Sequence, residues 1–160
     1  MHVKDALAKS SLFGTMPDPI LARLAPWFTP RIVRKGDVLL RENETSACLF
    51  VVAAGTALVC KRVDGVTEAL VARIGAGGHL GEIDLVDAQS ATATVIMETP
   101  GALLELDSER FRRMLVTDRS LFAHVARVLF VDLAEKVRKT NQQVRQTIAW
   151  GLDACGDSGE

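Results

Sequence analysis

Between Arg73 and Arg110 the chain carries no lysine or arginine, although it holds 19 basic residues in all. That gap excludes an anion site whose countercharge comes from its own loop. Cysteine is scarce and odd in number: Cys48, Cys60 and Cys155, widely spaced. Neither a disulfide framework nor a zinc pattern fits. The expected setting is a reducing, cytoplasmic one, with two of the thiols on strands and one near the C-terminus. There is no basic surplus: the net charge is −1, which excludes the electrostatic footprint of a nucleic-acid binder. No apolar run reaches the length of a membrane span, and the opening Met1–Leu7 has no hydrophobic signal core. His2, His79 and His124 are too scattered to form a metal site with any cysteine, so no metal is expected. No Ser, Cys or Lys has a base partner by spacing, and the strands lack the His/Glu set of a metal-dependent β-roll enzyme. The expectation is a protein that is not an enzyme and needs no cofactor.

What is present suits one folded domain with an appended element. Hydrophobic residues make up 48 %, enough for a proper core. The first stretch reads as helical. Asp18 is a plausible N-cap with Pro19 at the first helical position, and Ile20, Leu21, Leu24 and Trp27 follow at helical spacing. From Arg31 the period changes to two. Ile32-Val33, Val38–Leu40, Cys48–Ala54, Ala57–Val63, Val66–Ile74, Thr92–Met97 and Ala102–Leu106 read as strands. Turn signals separate them: Lys35-Gly36-Asp37, Gly55, the hairpin pair Asp64-Gly65, and Pro100-Gly101. About eight short strands at this spacing predict an antiparallel barrel or jelly roll, here an eight-stranded β-roll in an α+β chain. Asp107 or Ser108 caps a short helix. Thr117 or Asp118 caps a long one that should run to about Trp150, before Gly151 and a polar tail from Asp153 to Glu160.

The long helix is apolar nearly all round in its first half. Later it keeps a narrow stripe: Phe122, Ala126, Leu129, Leu133, Val137, Thr140, Val144 and Ile148. An isolated apolar stripe gains nothing in water, so the distal half reads as a seam for a partner. The twin of this chain, another protein and the roll itself are all open as that partner. Residues 1–133 are expected to form the β-roll with its flanking helices, and 134–160 the distal helix and tail.

The segment from Ile74 to Val95 carries the chemistry. A glycine-rich turn (Gly75, Gly77, Gly78) opens into Gly81-Glu82, then a short apolar piece, then a small-residue loop and a strand. Such a layout can hold a phosphate on backbone N–H groups at the start of a short helix. Asp84 and Asp87 instead add negative charge where an anion would sit.

In order and spacing these pieces resemble the cyclic nucleotide-binding domain. Arg34-Lys35-Gly36-Asp37-Val38-Leu39 is similar to that family's "basic, Gly, acidic, apolar" turn. Leu49–Gly55 is similar to its apolar strand ending in Gly. Ile74–Glu82 is similar to the start of its phosphate-binding cassette, and Ala91-Thr92-Ala93-Thr94-Val95 sits where the family has Arg-Ser/Thr-Ala-Thr-Val. The resemblance covers roughly 12–133. It implies that Glu82 takes the ribose 2′-hydroxyl, that Thr92 bonds a phosphate oxygen, and that backbone N–H groups at Gly81, Ile83 and Asp84 face the phosphate. The arginine is replaced by Ala91. Losing a guanidinium fork, at about 1.5–3 kcal/mol per charged hydrogen bond, weakens binding by roughly a hundredfold or more. His79 is the only possible cation inside the cassette itself.

Two functions remain. One is a stand-alone, non-enzymatic signalling or regulatory module whose cyclic nucleotide binding is weak or lost and which acts through protein contacts or homodimerisation along Leu129, Leu133, Val137, Val144 and Ile148. Glu82 and Thr92 then serve the fold. The other is a true sensor of cyclic AMP, cyclic GMP or a cyclic dinucleotide, in which Arg73, Arg127 or Arg138 supplies the missing charge. Neither needs nucleic acid or a membrane. A DNA-reading activator is excluded as an expectation, since only about ten residues follow Trp150, too few for a helix-turn-helix.

Overall fold

The computed structural model describes residues 2–62, 68–87 and 90–156. Two short helices, α1 (Val3–Ala8) and α2 (Asp18–Leu24), and a 3-10 turn (Ala25–Trp27) lead into the strands. These are β1 (Thr29–Val33), β2 (Val38–Leu40), β3 (Cys48–Ala54), β4 (Ala57–Arg62), β5 (Glu68–Ile74) and β6 (His79–Leu80). After the short helix α3 (Glu82–Asp87) come β7 (Thr94–Met97) and β8 (Gly101–Asp107). Two helices close the chain, α4 (Ser108–Thr117) and α5 (Arg119–Gly156). The strands form two four-stranded sheets, ordered β1-β8-β3-β6 and β2-β7-β4-β5, with every pairing antiparallel.

The run Cys48–Ala54 is apolar on both faces because β3 is covered on both faces. Phe50 and Val52 point into the roll with Val33, Leu80, Val95, Met97 and Leu103. Leu49 and Val51 point the other way, into a second cluster where the sheet meets the helices through Leu7, Phe13, Leu24, Leu121, Val125 and Leu129. Each fully buried Leu or Val there contributes about 1.5–3 kcal/mol of transfer free energy. The roll is therefore held between its own interior and a helical layer, and α5 is part of that layer.

Local chemistry sets the corners. Gly36 adopts φ +87°, and Asp37 Oδ2 accepts a bond from the Arg34 amide at 2.9 Å, which closes the turn between β1 and β2. Asp107 caps α4 by accepting from the Arg110 amide at 2.7 Å. Asp118 caps α5 by accepting from the Leu121 amide at 3.1 Å, and Arg23 of α2 ties down the same oxygen at 2.5 Å.

Four sequence expectations shift. Asp18 is already inside α2 and Pro17 holds the cap position; the Asp18 carboxylate pairs with Lys4 at 2.8 Å instead of capping. The strand expected from Thr92 begins at Thr94, since Thr92 and Ala93 bend to round the cradle. The two-residue β6 is a strand that periodicity does not reveal; it pairs with Phe50 and Val51 of β3. The long helix does not stop near Trp150 but continues through Gly151 to Gly156. A helical Gly costs only about 1 kcal/mol, too little to end a helix by itself. The hairpin turn expected at Asp64-Gly65 lies outside the described residues, as does the end of the tail from residue 157. The boundary expected after Leu133 falls inside one continuous helix. Among the described residues no helix is long and apolar enough to cross a membrane.

Candidate ligand cradle and its cation

The glycine-rich turn is anchored to β3 and to the N-terminal segment. The Gly77 amide donates to Val52 O at 2.7 Å, the Val52 amide donates to Gly78 O at 2.9 Å, and the Ser11 amide donates to Gly77 O at 2.8 Å. β6 then delivers His79, and Gly81 turns the chain into α3. Gly81 has φ +82°, and a Cβ there would lie 2.1 Å from Cys48 O. Only glycine fits that approach. The turn places Glu82 at the start of α3, buried, at the mouth of a cavity of about 160 Å³. Val59, Ile74, Gly81, Glu82, Thr92 and Lys136 are among its lining residues.

The predicted ligand residues do meet at this cavity. Gly81, Glu82, Ile83, Asp84 and Thr92 all line it. Ala91 does not: its side chain packs in the interior cluster at 1 % exposure, and Thr92 and Ala93 form the wall. The Ala91 backbone is also committed, with its amide donating to Glu44 O and its carbonyl accepting from Asn43, both at 2.9 Å. Asp84 is buried. Burial first, then Asp87 and Glu82, push its carboxyl above the usual range.

Lys136 brings a cation to the cradle wall. Its ammonium reaches in from α5 and sits 2.5 Å from Glu82 Oε1, 2.9 Å from Asp132 Oδ2 and 3.2 Å from His79 Nε2. His79 Nε2 in turn lies 3.1 Å from Asp132 Oδ2, and its Nδ1 lies 3.1 Å from Ser11 Oγ. Burial pushes the Asp132 carboxyl up, but Lys136 and His79 outweigh it and hold the group below its usual value. Ser11, His79, Asp132, Lys136 and Glu82 thus form a continuous polar chain between the N-terminal segment, the cassette and the long helix.

Arg73, Arg127 and Arg138 do not take this role. Arg73 pairs with Glu98 at 3.2 Å. Arg127 and Arg138 line a separate groove with Phe130 and Val131. At about 100° per residue, Arg127 and Arg138 project from the opposite side of α5 to Lys136. The sequence held one hint of this network: Asp132 and Lys136 stand four apart on one helix, an ion-pair spacing. Nothing in the sequence aims that pair at Glu82, 54 positions away. A larger cleft of about 360 Å³ between the N-terminal segment and α5 shares Asp132 with this network, alongside Ser11, Met16, His124 and Glu135.

The expected seam on α5 also changes phase. Leu129 is buried against the roll and Leu133 is half-buried. Val137, Val144 and Ile148 are exposed at 59 %, 52 % and 57 %, and so is Phe130 at 65 %. Phe130, Ala134, Val137, Asn141, Val144 and Ile148 repeat at spacings of four and three, the pattern of a coiled-coil face.

The sequence pattern of the cyclic nucleotide-binding domain matches residues 30–118, more than half of the chain. The chain belongs to the cyclic nucleotide-binding domain family. Its fold agrees: a cyclic nucleotide-binding domain from Methylobacillus flagellatus superposes with a TM-score of 0.76 at 18 % identity, covering 91 % of this chain and 82 % of that one. The regulatory domain of Toxoplasma gondii PKA, solved with cAMP, superposes with a TM-score of 0.62 at 26 % identity over 70 % of this chain and 42 % of that one. In sequence the chain is 29 % identical over 111 residues to the cGMP-dependent protein kinase egl-4 of Caenorhabditis briggsae, covering 68 % of this chain. It spans only 15 % of that kinase's length. As a cyclic nucleotide-binding domain it is a regulatory fold; its cradle has Ala91 where the resemblance implies an arginine, and Lys136 across the Glu82 carboxylate.

Proposed function

We propose that this domain is a non-enzymatic regulatory module in which the long helix plugs the nucleotide cradle, so that cyclic nucleotide binding is weak or lost and signalling runs through contacts of α5. One observation carries the reading: the carboxylate that would take a ribose hydroxyl is held by Lys136 at 2.5 Å. A cyclic nucleotide would have to break that pair before using Glu82. It would then meet Asp84 and no guanidinium. The exposed face of α5 supports the second half of the reading. A 4-3 repeat with its apolar side in water fits a partner helix, and a second copy supplies one with matching spacing.

Calorimetry with cyclic AMP, cyclic GMP and cyclic dinucleotides tests the plug. The expected dissociation constants are weaker than about 100 µM, above about −5.5 kcal/mol. A constant below about 10 µM that disappears in Glu82→Gln overturns the proposal.

A second reading has its own support, because Lys136 is a cation at the cradle wall and its side chain is 43 % exposed. In that reading Lys136 swings from Glu82 to the phosphate and replaces the lost arginine, and the domain is a sensor. Lys136→Met separates the two. It leaves nucleotide affinity unchanged or improved if the lysine is a plug, and weakens it if the lysine is a phosphate partner.

A further inference from the structure

The ammonium of Lys136 lies 2.5, 2.9 and 3.2 Å from Glu82 Oε1, Asp132 Oδ2 and His79 Nε2, and these three residues each bring a ligand atom within 4.8 Å of the others. Their positions along the chain do not group them, since they come from β6, the start of α3 and the middle of α5. From this arrangement we infer a divalent transition-metal site, with Zn²⁺ as the ion it fits best and Lys136 as an internal cation that the metal displaces.

Three observations carry the assignment. The first is hydrogen bonding. Asp132 Oδ2 is buried and makes no hydrogen bond of acceptable geometry, although His79 Nε2 is 3.1 Å away and Lys136 Nζ 2.9 Å away. The ammonium has three N–H groups and bonds Glu82 Oε1 and His79 Nε2, which leaves Asp132 Oδ2 with ion-pair contact but no directed bond. When His79 Nε2 accepts from the ammonium, its lone pair also faces that carboxylate. A metal ion would let every donor point a lone pair at one centre. The 3.1 Å separation of Nε2 and Oδ2 is close to the ligand–ligand edge of a tetrahedron with bonds of about 2.0–2.1 Å.

The second is charge. Glu82 and Asp132 bring two negative charges and Lys136 returns one. A divalent ion balances the pair in full.

The third is orientation. Ser11 Oγ lies 3.1 Å from His79 Nδ1, the ring nitrogen left over when Nε2 binds metal. A hydroxyl on the far nitrogen fixes the tautomer and aim of a metal-binding imidazole. The donor set selects the metal: an imidazole argues against Mg²⁺ and Ca²⁺, while one nitrogen and two carboxylate oxygens suit Zn²⁺, with a fourth position open to water. Lys136 is half exposed on a flexible stem, so its ammonium can leave to solvent. An ion in its place would tie the cassette to the long helix through Asp132. The inference concerns metal alone and stands whether or not a nucleotide binds.

The experiment titrates the purified chain, stripped with chelator, with Zn²⁺ by calorimetry and with Co²⁺ by absorption. The expected result is one Zn²⁺ per chain with micromolar affinity, and visible cobalt bands of four-coordinate intensity. His79→Gln and Asp132→Asn should each abolish stoichiometric binding while circular dichroism stays native. Ser11→Ala should weaken it by about tenfold, as outer partners do. Lys136→Met keeps all three donors, removes the competing cation and should tighten binding about tenfold or more. Absence of stoichiometric binding in both the parent and Lys136→Met overturns the inference. So does binding that survives in His79→Gln and Asp132→Asn, which would mark an ion on His2 or His124. Binding confined to Lys136→Met would make the ammonium the resident cation and would also overturn it for the native chain.

Discussion

Lys136 and Glu82, 54 positions apart, are joined Nζ to Oε1 at 2.5 Å, with the carboxylate buried and the ammonium half exposed. The pair links the long helix to the turn that defines the family's ligand site. Because solvent reaches the lysine, the pair contributes less than a fully buried one. Removing it still leaves a buried carboxylate with a lost partner. Lys136→Met should cost about 1–2 kcal/mol in urea unfolding. Adding Glu82→Gln should recover part of that loss, because the remaining group is then neutral. Purely additive costs in the double variant would mean that the two residues do not interact.

Gly81 is the position least tolerant of a side chain. An alanine would need a positive φ and would press its Cβ against Cys48 O. Gly81→Ala should destabilise the fold by about 2 kcal/mol or more, read from the denaturation midpoint at unchanged slope. Gly36→Ala serves as a control: it shares the positive φ but has open space around the new Cβ, so it should cost less.

Cys48 should be chemically silent. Burial, then Glu105, whose Oε1 lies 3.5 Å from its thiol, pushes its pKa up to about 12. At pH 8 only about one thiol in ten thousand would be the reactive thiolate. Iodoacetamide followed by mass spectrometry should leave Cys48 unmodified in the folded chain and modify it in urea. Rapid alkylation of the folded chain would contradict the geometry.

Asp118 joins α2 to α5 and should make that junction acid-sensitive. The bond from Arg23, with the Leu121 amide, holds its carboxyl below the usual value. A depressed folded value means that its stabilisation is in place above the unfolded value of about 3.9 and is lost as pH falls through the lower folded value. Asp118→Asn should therefore lower the melting temperature at pH 7, and the gap to the parent should narrow as the pH falls below the unfolded value and through the lower folded one. A gap that persists in acid would point to packing instead of charge.

The α5 seam predicts assembly. Val137→Asp or Val144→Asp, both at exposed positions, should give monomers by light scattering while the roll keeps its melting temperature. If the parent and both variants share one mass, this face does not mediate self-association.

Much of the fold could be read from the chain because its signals are local. Gly36, Gly55 and Gly81 all take positive φ at the turns where the pattern placed them. The alternation from Arg31 onward, the Asp107 cap and the helical repeat after Asp118 each specify an element within a few residues. What failed locally also has local reasons. β6 is too short to show a period, and Asp18 spends its carboxylate on Lys4. The stripe on α5 lost its phase because the first half of that helix is apolar nearly all round. Pattern alone could not tell that Leu129 faces the roll and Phe130 faces water.

By itself the sequence determined a β-roll with a glycine turn leading to Glu82, and a cassette that has no cation of its own. Backbone propensity and hydrophobic period act over a few residues, so those features are written locally. The packing of α5 decided the rest: which residue lies against Glu82, and that Ser11, His79, Asp132, Lys136 and Glu82 join in one network. Such meetings depend on the angle at which one helix crosses a sheet, and that angle comes from the whole buried interface around Leu121, Val125 and Leu129 rather than from any single stretch of chain.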